Sequence, residues 1–243
     1  MDILKHVVFR TAEDMREVHD RSAQLVVMSP AYFEDEDQER HLLENIFREC
    51  NRIVTGNGVV AAAFTDYKRR GGTYPKHLVV CDAARANGFE VYDHRIVVWS
   101  FQKLLMQKGY YHVYVFKRAG EKCFCVKRNA YPPYNFQTWV LMANQQVLGF
   151  ADALDPEIYE LLVKKFTREG DLVVLPFAGS ATGVIMALKL GRKAVGYEID
   201  PKRKTVILAR EKQLETRAHF SPTSPIELFE KGLTIRPELV AKK

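Results

Sequence analysis

The chain has 243 residues, 47% hydrophobic and 27% charged, enough to bury a core without disulfide staples and too balanced for extensive disorder. Lysine and arginine outnumber aspartate and glutamate 36 to 30, a net charge of +6 that suits a polyanionic partner without demanding one. No apolar run approaches the ~18 residues of a membrane span, and Asp2, Lys5 and Arg10 stand where a signal peptide would be apolar, so a cytoplasmic protein with no membrane partner is expected.

Short β-branched runs alternate with longer amphipathic stretches. In chain order the pattern predicts strands at 6–9 and 24–28, a helix at 37–53, a strand at 58–65, a helix at 75–87, and strands at 89–99 and 110–117. A helix at 156–167, a strand at 172–175, a helix at 183–190 and a strand at 194–197 complete it. Most of the strand runs are continuous in Val, Ile and Leu, as in strands buried on both faces of a parallel sheet, so an α/β, doubly wound sheet is expected. Asn57-Gly58 and Asn87-Gly88 read as left-handed caps between helix and strand. Residues 117–149, with Tyr131-Pro132-Pro133-Tyr134 and Trp139, have poor periodicity and read as a small insertion, and residues 220–243 as a C-terminal arm. The four cysteines, Cys50, Cys81, Cys123 and Cys125, lack metal spacing, so reduced and mostly buried thiols are expected; His19, His77 and His94 show no ligand spacing either, and no metal is expected.

The most informative window is 171–200, DLVVLPFAGSATGVIMALKLGRKAVGYEID. A buried strand enters a small-residue turn, a helix follows, and a second strand ends on Glu198. Such a unit lets a nucleoside approach the backbone at the turn while the acid accepts from ribose hydroxyls.

The window resembles the cofactor motif of the exocyclic-amino methyltransferases that act on adenine or cytosine, (V/L)-L-D-P-F-x-G-S-G-T-T followed by G-R-x-x-x-G-x-E. Pro176, Phe177, Gly179, Ser180, Thr182, Gly191, Arg192, Gly196 and Glu198 match; Leu175 and Ala181 depart. That family's second signature, (S/N/D)-P-P-(Y/F/W) after a strand, is matched by Ser29-Pro30-Ala31-Tyr32, in which Ala31 departs. Tyr131-Pro132-Pro133-Tyr134 has the diprolyl but no strand before it and reads as a loop. Further along, 6–15 resembles the family's opening strand with Thr11 at its Asp position, and 51–66, 88–99 and 152–165 resemble other family segments.

The resemblance implies a Rossmann-like methyltransferase domain over 1–219, with a catalytic half at 1–116, a short target-recognition-like insertion at 117–149 and a cofactor half at 150–219. The order, with the catalytic motif before the cofactor motif, is that of the circularly permuted β class. It further implies S-adenosylmethionine held by Thr11, Pro176, Phe177, Ala178, Gly179, Ser180, Thr182 and Glu198, and catalysis by Ser29, Pro30 and Tyr32. An exocyclic amine is a poor nucleophile because its lone pair is delocalised, so acceptors must hold its hydrogens as positive charge develops on nitrogen. Ser29 Oγ and the Pro30 carbonyl can accept, and Tyr32 can stack on an extruded base.

Lys68, Arg69 and Arg70, together with Lys117, Arg118, Lys127 and Arg128 interleaved with aromatics, are expected to contact nucleic acid, although solvated loops would look the same. The expected activity is S-adenosylmethionine-dependent methylation of an exocyclic amino group, cytosine N4 before adenine N6, in DNA or structured RNA. The four departures, Thr11, Ala31, Leu175 and Ala181, support an alternative in which a catalytically weakened relative serves as a nucleic-acid-binding or scaffolding subunit. A homodimer is left open.

Overall fold

A computed structural model describes residues 2–69, 71–98, 110–126, 138–140, 154 and 156–216. Its elements are β1 (Val7–Val8), β2 (Ala23–Met28), α1 (Glu36–Ile53), β3 (Val54–Phe64), β4 (Tyr67–Arg69), β5 (Gly72–Tyr74), α2 (Lys76–Ala86), β6 (Phe89–Val98) and β7 (Tyr110–Arg118). They continue with β8 (Thr138–Val140), α3 (Pro156–Phe166), β9 (Leu172–Leu175), α4 (Thr182–Lys189), β10 (Lys193–Tyr197) and α5 (Lys204–Thr216). No helix among the described residues is long and apolar enough to cross a membrane.

Eight strands form one sheet in the order β1-β10-β9-β2-β3-β7-β6-β8. From β1 to β3 all neighbours are parallel, whereas β7 runs antiparallel to both β3 and β6. The doubly wound reading therefore holds in a mixed sheet. All six residues of β2 are buried, and their side chains alternate between two cores. Leu25 and Val27 pack with residues of α3, α4 and α5, while Val26 and Met28 pack with residues of α1 and α2. Helices on both faces explain why the strand sequences run apolar without alternation.

Three local expectations change. Strand β3 begins directly where α1 ends, so Gly58 lies inside a strand instead of capping a helix, while Gly88, with φ +80°, does follow α2 as a left-handed cap. The stretch around Lys68 forms the β4–β5 hairpin, and part of the stretch read as an insertion supplies β8, which pairs parallel with β6. Of the four free cysteines Cys50 is buried and the other three are half-buried. Most of 117–149 and all of 220–243 lie outside the described residues.

The chain reverses its winding at β9 and β2. From β9 the connection through α4 steps outward to β10, and from β2 the connection through α1 steps the other way to β3. Ligand crevices of open α/β sheets form outside the carboxyl ends of strands at such a point. The parallel register Val26↔Val174 sets Ser29 level with Phe177, so the two sequence motifs meet there, strand to strand, at about 5 Å where the pairing ends.

Candidate active site at the winding reversal

On the β9 side, Pro176 and Phe177 lead into a turn tied to β10 by the Ala178 N–H donating to the Tyr197 carbonyl at 2.8 Å. Gly179 has φ +56°, and a Cβ built on it would meet nothing within 4 Å, which marks open space on the backbone of the turn. The Glu198 carboxylate stands beside it, accepting from Gly179 N at 2.8 Å and from Asp200 N at 2.9 Å. Each oxygen keeps a lone pair for a further donor.

Ala181 is left-handed at φ +57° and fully buried in the core, so its methyl group does not project into the open space beside Gly179. Ser180 Oγ and Thr182 Oγ1 are 2.9 Å apart, and Thr182 Oγ1 also accepts from Arg210 Nε at 2.9 Å. The Thr182 hydroxyl is thus engaged inside the fold, and Thr182 itself begins the first turn of α4. Thr11 lies just beyond β1, whose Val8 carbonyl accepts from Glu198 N at 3.0 Å, so it shares the edge with Glu198. Its hydroxyl donates to Glu13 Oε2 at 3.0 Å, and Glu13 Oε1 accepts from Asn45 at 2.7 Å.

On the β2 side, Ser29 is half-buried and Pro30 buried. Tyr32 is 49% exposed; its hydroxyl is 2.7 Å from Thr65 Oγ1, and its ring stands nearly perpendicular to that of Tyr67 at 4.9 Å between centroids.

Sequence reasoning missed Lys76 and Glu39. Lys76, the first residue of α2, is completely buried and donates from Nζ to the carbonyls of Pro30 at 3.0 Å and Ala31 at 2.6 Å. Its ammonium pairs with the equally buried Glu39 Oε1 at 2.8 Å and lies 5.1 Å from the centre of the Tyr32 ring. Glu39 sits in the first turn of α1, where Asp35 caps the helix and unpaired N–H groups favour negative charge. The Tyr67 hydroxyl donates to the Phe33 carbonyl at 3.1 Å and lies 3.4 Å from Glu39 Oε2. Burial, and next the Glu39 charge, push its pKa up to about 12, so it remains a donor. Neither Glu39 nor Lys76 belongs to a short motif, and only their place opposite a turn makes them visible.

The basic residues separate. Lys68 and Arg69 line an open cleft with Tyr32, Phe33, Glu34 and Tyr67. Lys68 is exposed and donates to Thr73 at 3.1 Å; Arg69 pairs with Glu36 at 3.1 Å. Lys117 and Arg118 lie apart from this cleft. Because β7 runs antiparallel to β3, Lys117 pairs with Val59, level with Leu25 of β2 and so toward the amino end of that strand, away from Ser29. Lys117 pairs with Glu90 and donates to the Glu121 carbonyl, and Arg118 donates to Asn51 and the Val54 carbonyl, so both are fasteners of the fold. Arg70, Lys127 and Arg128 lie outside the described residues.

A family model described as DNA methylase matches residues 143–209. The Type II methyltransferase M.MthZI of Methanothermobacter thermautotrophicus is 23% identical over 86% of this chain and 77% of its own. This chain resembles the DNA methylases in motif, sequence and fold. The fold likeness extends to a putative DNA modification methylase of Thermus thermophilus, solved in complex with S-adenosyl-L-methionine, at TM-score 0.67 and 21% identity, covering 88% of this chain and 96% of that one. The PvuII cytosine-N4-specific DNA methyltransferase superposes at TM-score 0.67 with 16% identity, over 92% of this chain and 89% of its own.

Proposed function

We propose that the protein is an S-adenosylmethionine-dependent methyltransferase acting on an exocyclic amino group of a DNA base, with cytosine N4 as the target. The observation that carries this reading is the meeting of two turns at the winding reversal: open space at Gly179 beside Glu198 on one strand, and Ser29, Pro30 and a half-exposed Tyr32 on its neighbour. The residues fit the cofactor. Gly179 offers backbone without a side chain, and Glu198 offers free lone pairs for hydroxyls. The bound cofactor would supply the electrophilic methyl group.

Everything else falls to the β2 turn. Tyr32 stacks on the extruded base. Ser29 Oγ and the Pro30 carbonyl accept from the target amine, whose nitrogen becomes positive as it is methylated and then loses a proton. The Pro30 carbonyl already accepts from Lys76, so the amine uses its second lone pair. Glu39 neutralises that ammonium, which would otherwise oppose charge developing on the amine. The turn has lost a proline at Ala31 and is fastened by a lysine instead. A serine at the first position favours cytosine N4, and the PvuII enzyme is a cytosine-N4 methyltransferase of the same fold. The order of the two motifs along the chain supports a circularly permuted arrangement with a catalytic half at 1–116 and a cofactor half at 150–219.

The deciding experiment is transfer of labelled methyl groups to unmethylated genomic DNA and to total RNA, followed by digestion to nucleosides. N4-methylcytosine from DNA alone is expected. Label in N6-methyladenine would move the target, and label in RNA would move the polymer. No transfer, with no calorimetric binding of S-adenosylhomocysteine, would replace the enzyme by a scaffold.

A further inference from the structure

Beyond the carboxyl end of β3 lies a cluster that methyl transfer leaves unused. Asp66 follows the strand, His77 is the second residue of α2, His112 stands near the start of β7, and His94 lies behind His112 on β6. Asp66 Oδ2 is 2.7 Å from His77 Nδ1 and 3.6 Å from His112 Nε2, and one donor atom of each lies within 4.8 Å of the other two. The other carboxylate oxygen, Oδ1, accepts the His77 backbone N–H at 3.1 Å, which turns Oδ2 toward the rings.

Two observations distinguish this cluster from a chance gathering of polar groups. His112 is only 8% exposed, and its Nε2 has no hydrogen-bond partner among the described residues, the distance to Asp66 being too long for one. A buried polar nitrogen without a partner is costly and calls for an explanation. The other ring nitrogen, Nδ1, lies 3.0 Å from His94 Nε2. If Nδ1 carries the hydrogen and donates to His94, the Nε2 lone pair faces Asp66 and His77. That is the arrangement in which metal-ligating histidines are held by a partner behind them.

We propose that Asp66, His77 and His112 bind a divalent transition-metal ion of the zinc class, with His94 orienting His112. Two imidazoles and a carboxylate are a borderline-soft donor set suited to zinc, with a fourth position left for water. The His77 side chain is 31% exposed and gives access to the site. On binding, His77 takes the tautomer with its single hydrogen on Nε2, so that the Nδ1 lone pair and Asp66 Oδ2 both face the cation. The ion would join the end of β3 to α2 and β7, one residue from the Thr65 hydroxyl that meets Tyr32. No spacing rule could find these residues, because only the sheet brings positions 66, 77 and 112 together.

The test is titration of the full chain, stripped with chelator and dialysed, with zinc chloride alone, followed by calorimetry and by metal analysis after desalting. One equivalent is expected. His112→Gln should bind at least a hundredfold more weakly. His94→Phe keeps the stack on Tyr114, whose ring is 4.0 Å away at 8°, and should lose about 10- to 100-fold through the missing hydrogen bond. The exposed His19, changed to Ala, should leave the titration unaltered. Circular dichroism confirms that each variant is folded. Absence of stoichiometric zinc from the wild type overturns the site. So does zinc retained undiminished by folded His112→Gln and His94→Phe, which would assign it to the cysteines. Methyl transfer plays no part in the readout, so this proposal can fail while the enzyme reading stands.

Discussion

Tyr32 carries two separable duties, and single substitutions can divide them. Its ring is the proposed stacking surface, on a residue 49% exposed, while its hydroxyl meets Thr65 at 2.7 Å. Tyr32→Ala should weaken DNA binding by about 1–3 kcal/mol, the worth of one stacked base. Tyr32→Phe should retain that affinity and lose about 1 kcal/mol of stability for the missing hydrogen bond. Fluorescence anisotropy on duplex DNA and urea unfolding measure the two, and equal affinities for Ala and Phe would remove Tyr32 from the base pocket. Gly179 poses the matching question for the cofactor. At φ +56° an added methyl group costs about 1–2 kcal/mol in backbone strain alone, and it would also occupy the open space beside Glu198. Gly179→Ala should therefore lose S-adenosylhomocysteine affinity well beyond its loss of stability. A variant that is merely less stable, binding as before, would move the cofactor elsewhere.

Lys76 and Glu39 join three elements, since α1 supplies the carboxylate, α2 the ammonium, and the turn after β2 the two carbonyls. Lys76→Met would leave a carboxylate buried without its partner, at a cost of about 3–5 kcal/mol. Adding Glu39→Gln removes the orphaned charge, so the double variant should recover much of the stability in urea unfolding but not the methyl transfer, because nothing then fastens the turn. Recovery of both would reduce the pair to a device of folding. This pair also marks where sequence reading stops. The runs at β2, β9 and β10 were legible because strands buried on both faces are mostly apolar along their length, and Glu198 was legible because it ends such a run. The reversal at β7 was not, since its apolar run looks the same in either direction. The β4–β5 hairpin was hidden in a basic, glycine-containing stretch, and α5 has charged residues scattered around its circumference. Lys76 and Glu39 are charged residues near helix starts, which usually face water. Nothing local says that these two lie opposite each other in the core.

At the scale of the whole molecule, the net charge of +6 does not act from one surface. Lys117 and Arg118 are bound to Glu90, Asn51 and backbone carbonyls at the amino end of β3, whereas Lys68 is exposed beside Tyr32 at the carboxyl end. On the proposed function, a duplex that presented a base to Tyr32 would run its phosphates past the β4–β5 hairpin and leave the far end of the sheet in solvent. Counterion release then separates the two groups: each phosphate contact contributes about 0.9 to the slope of log affinity against log salt. Lys68→Ala should flatten that slope by about one contact at every DNA sequence tried. Lys117→Ala should leave the slope unchanged and, by freeing Glu90, lower the urea midpoint slightly. Arg69 stands between them. Its ion pair with Glu36 at 3.1 Å must open before it can meet a phosphate, so Glu36→Gln should strengthen binding and steepen the slope if Arg69 reaches the duplex. If Lys117→Ala flattened the slope and Lys68→Ala did not, the duplex would lie across the amino end of the sheet, and Tyr32 could not be the residue on which the base stacks.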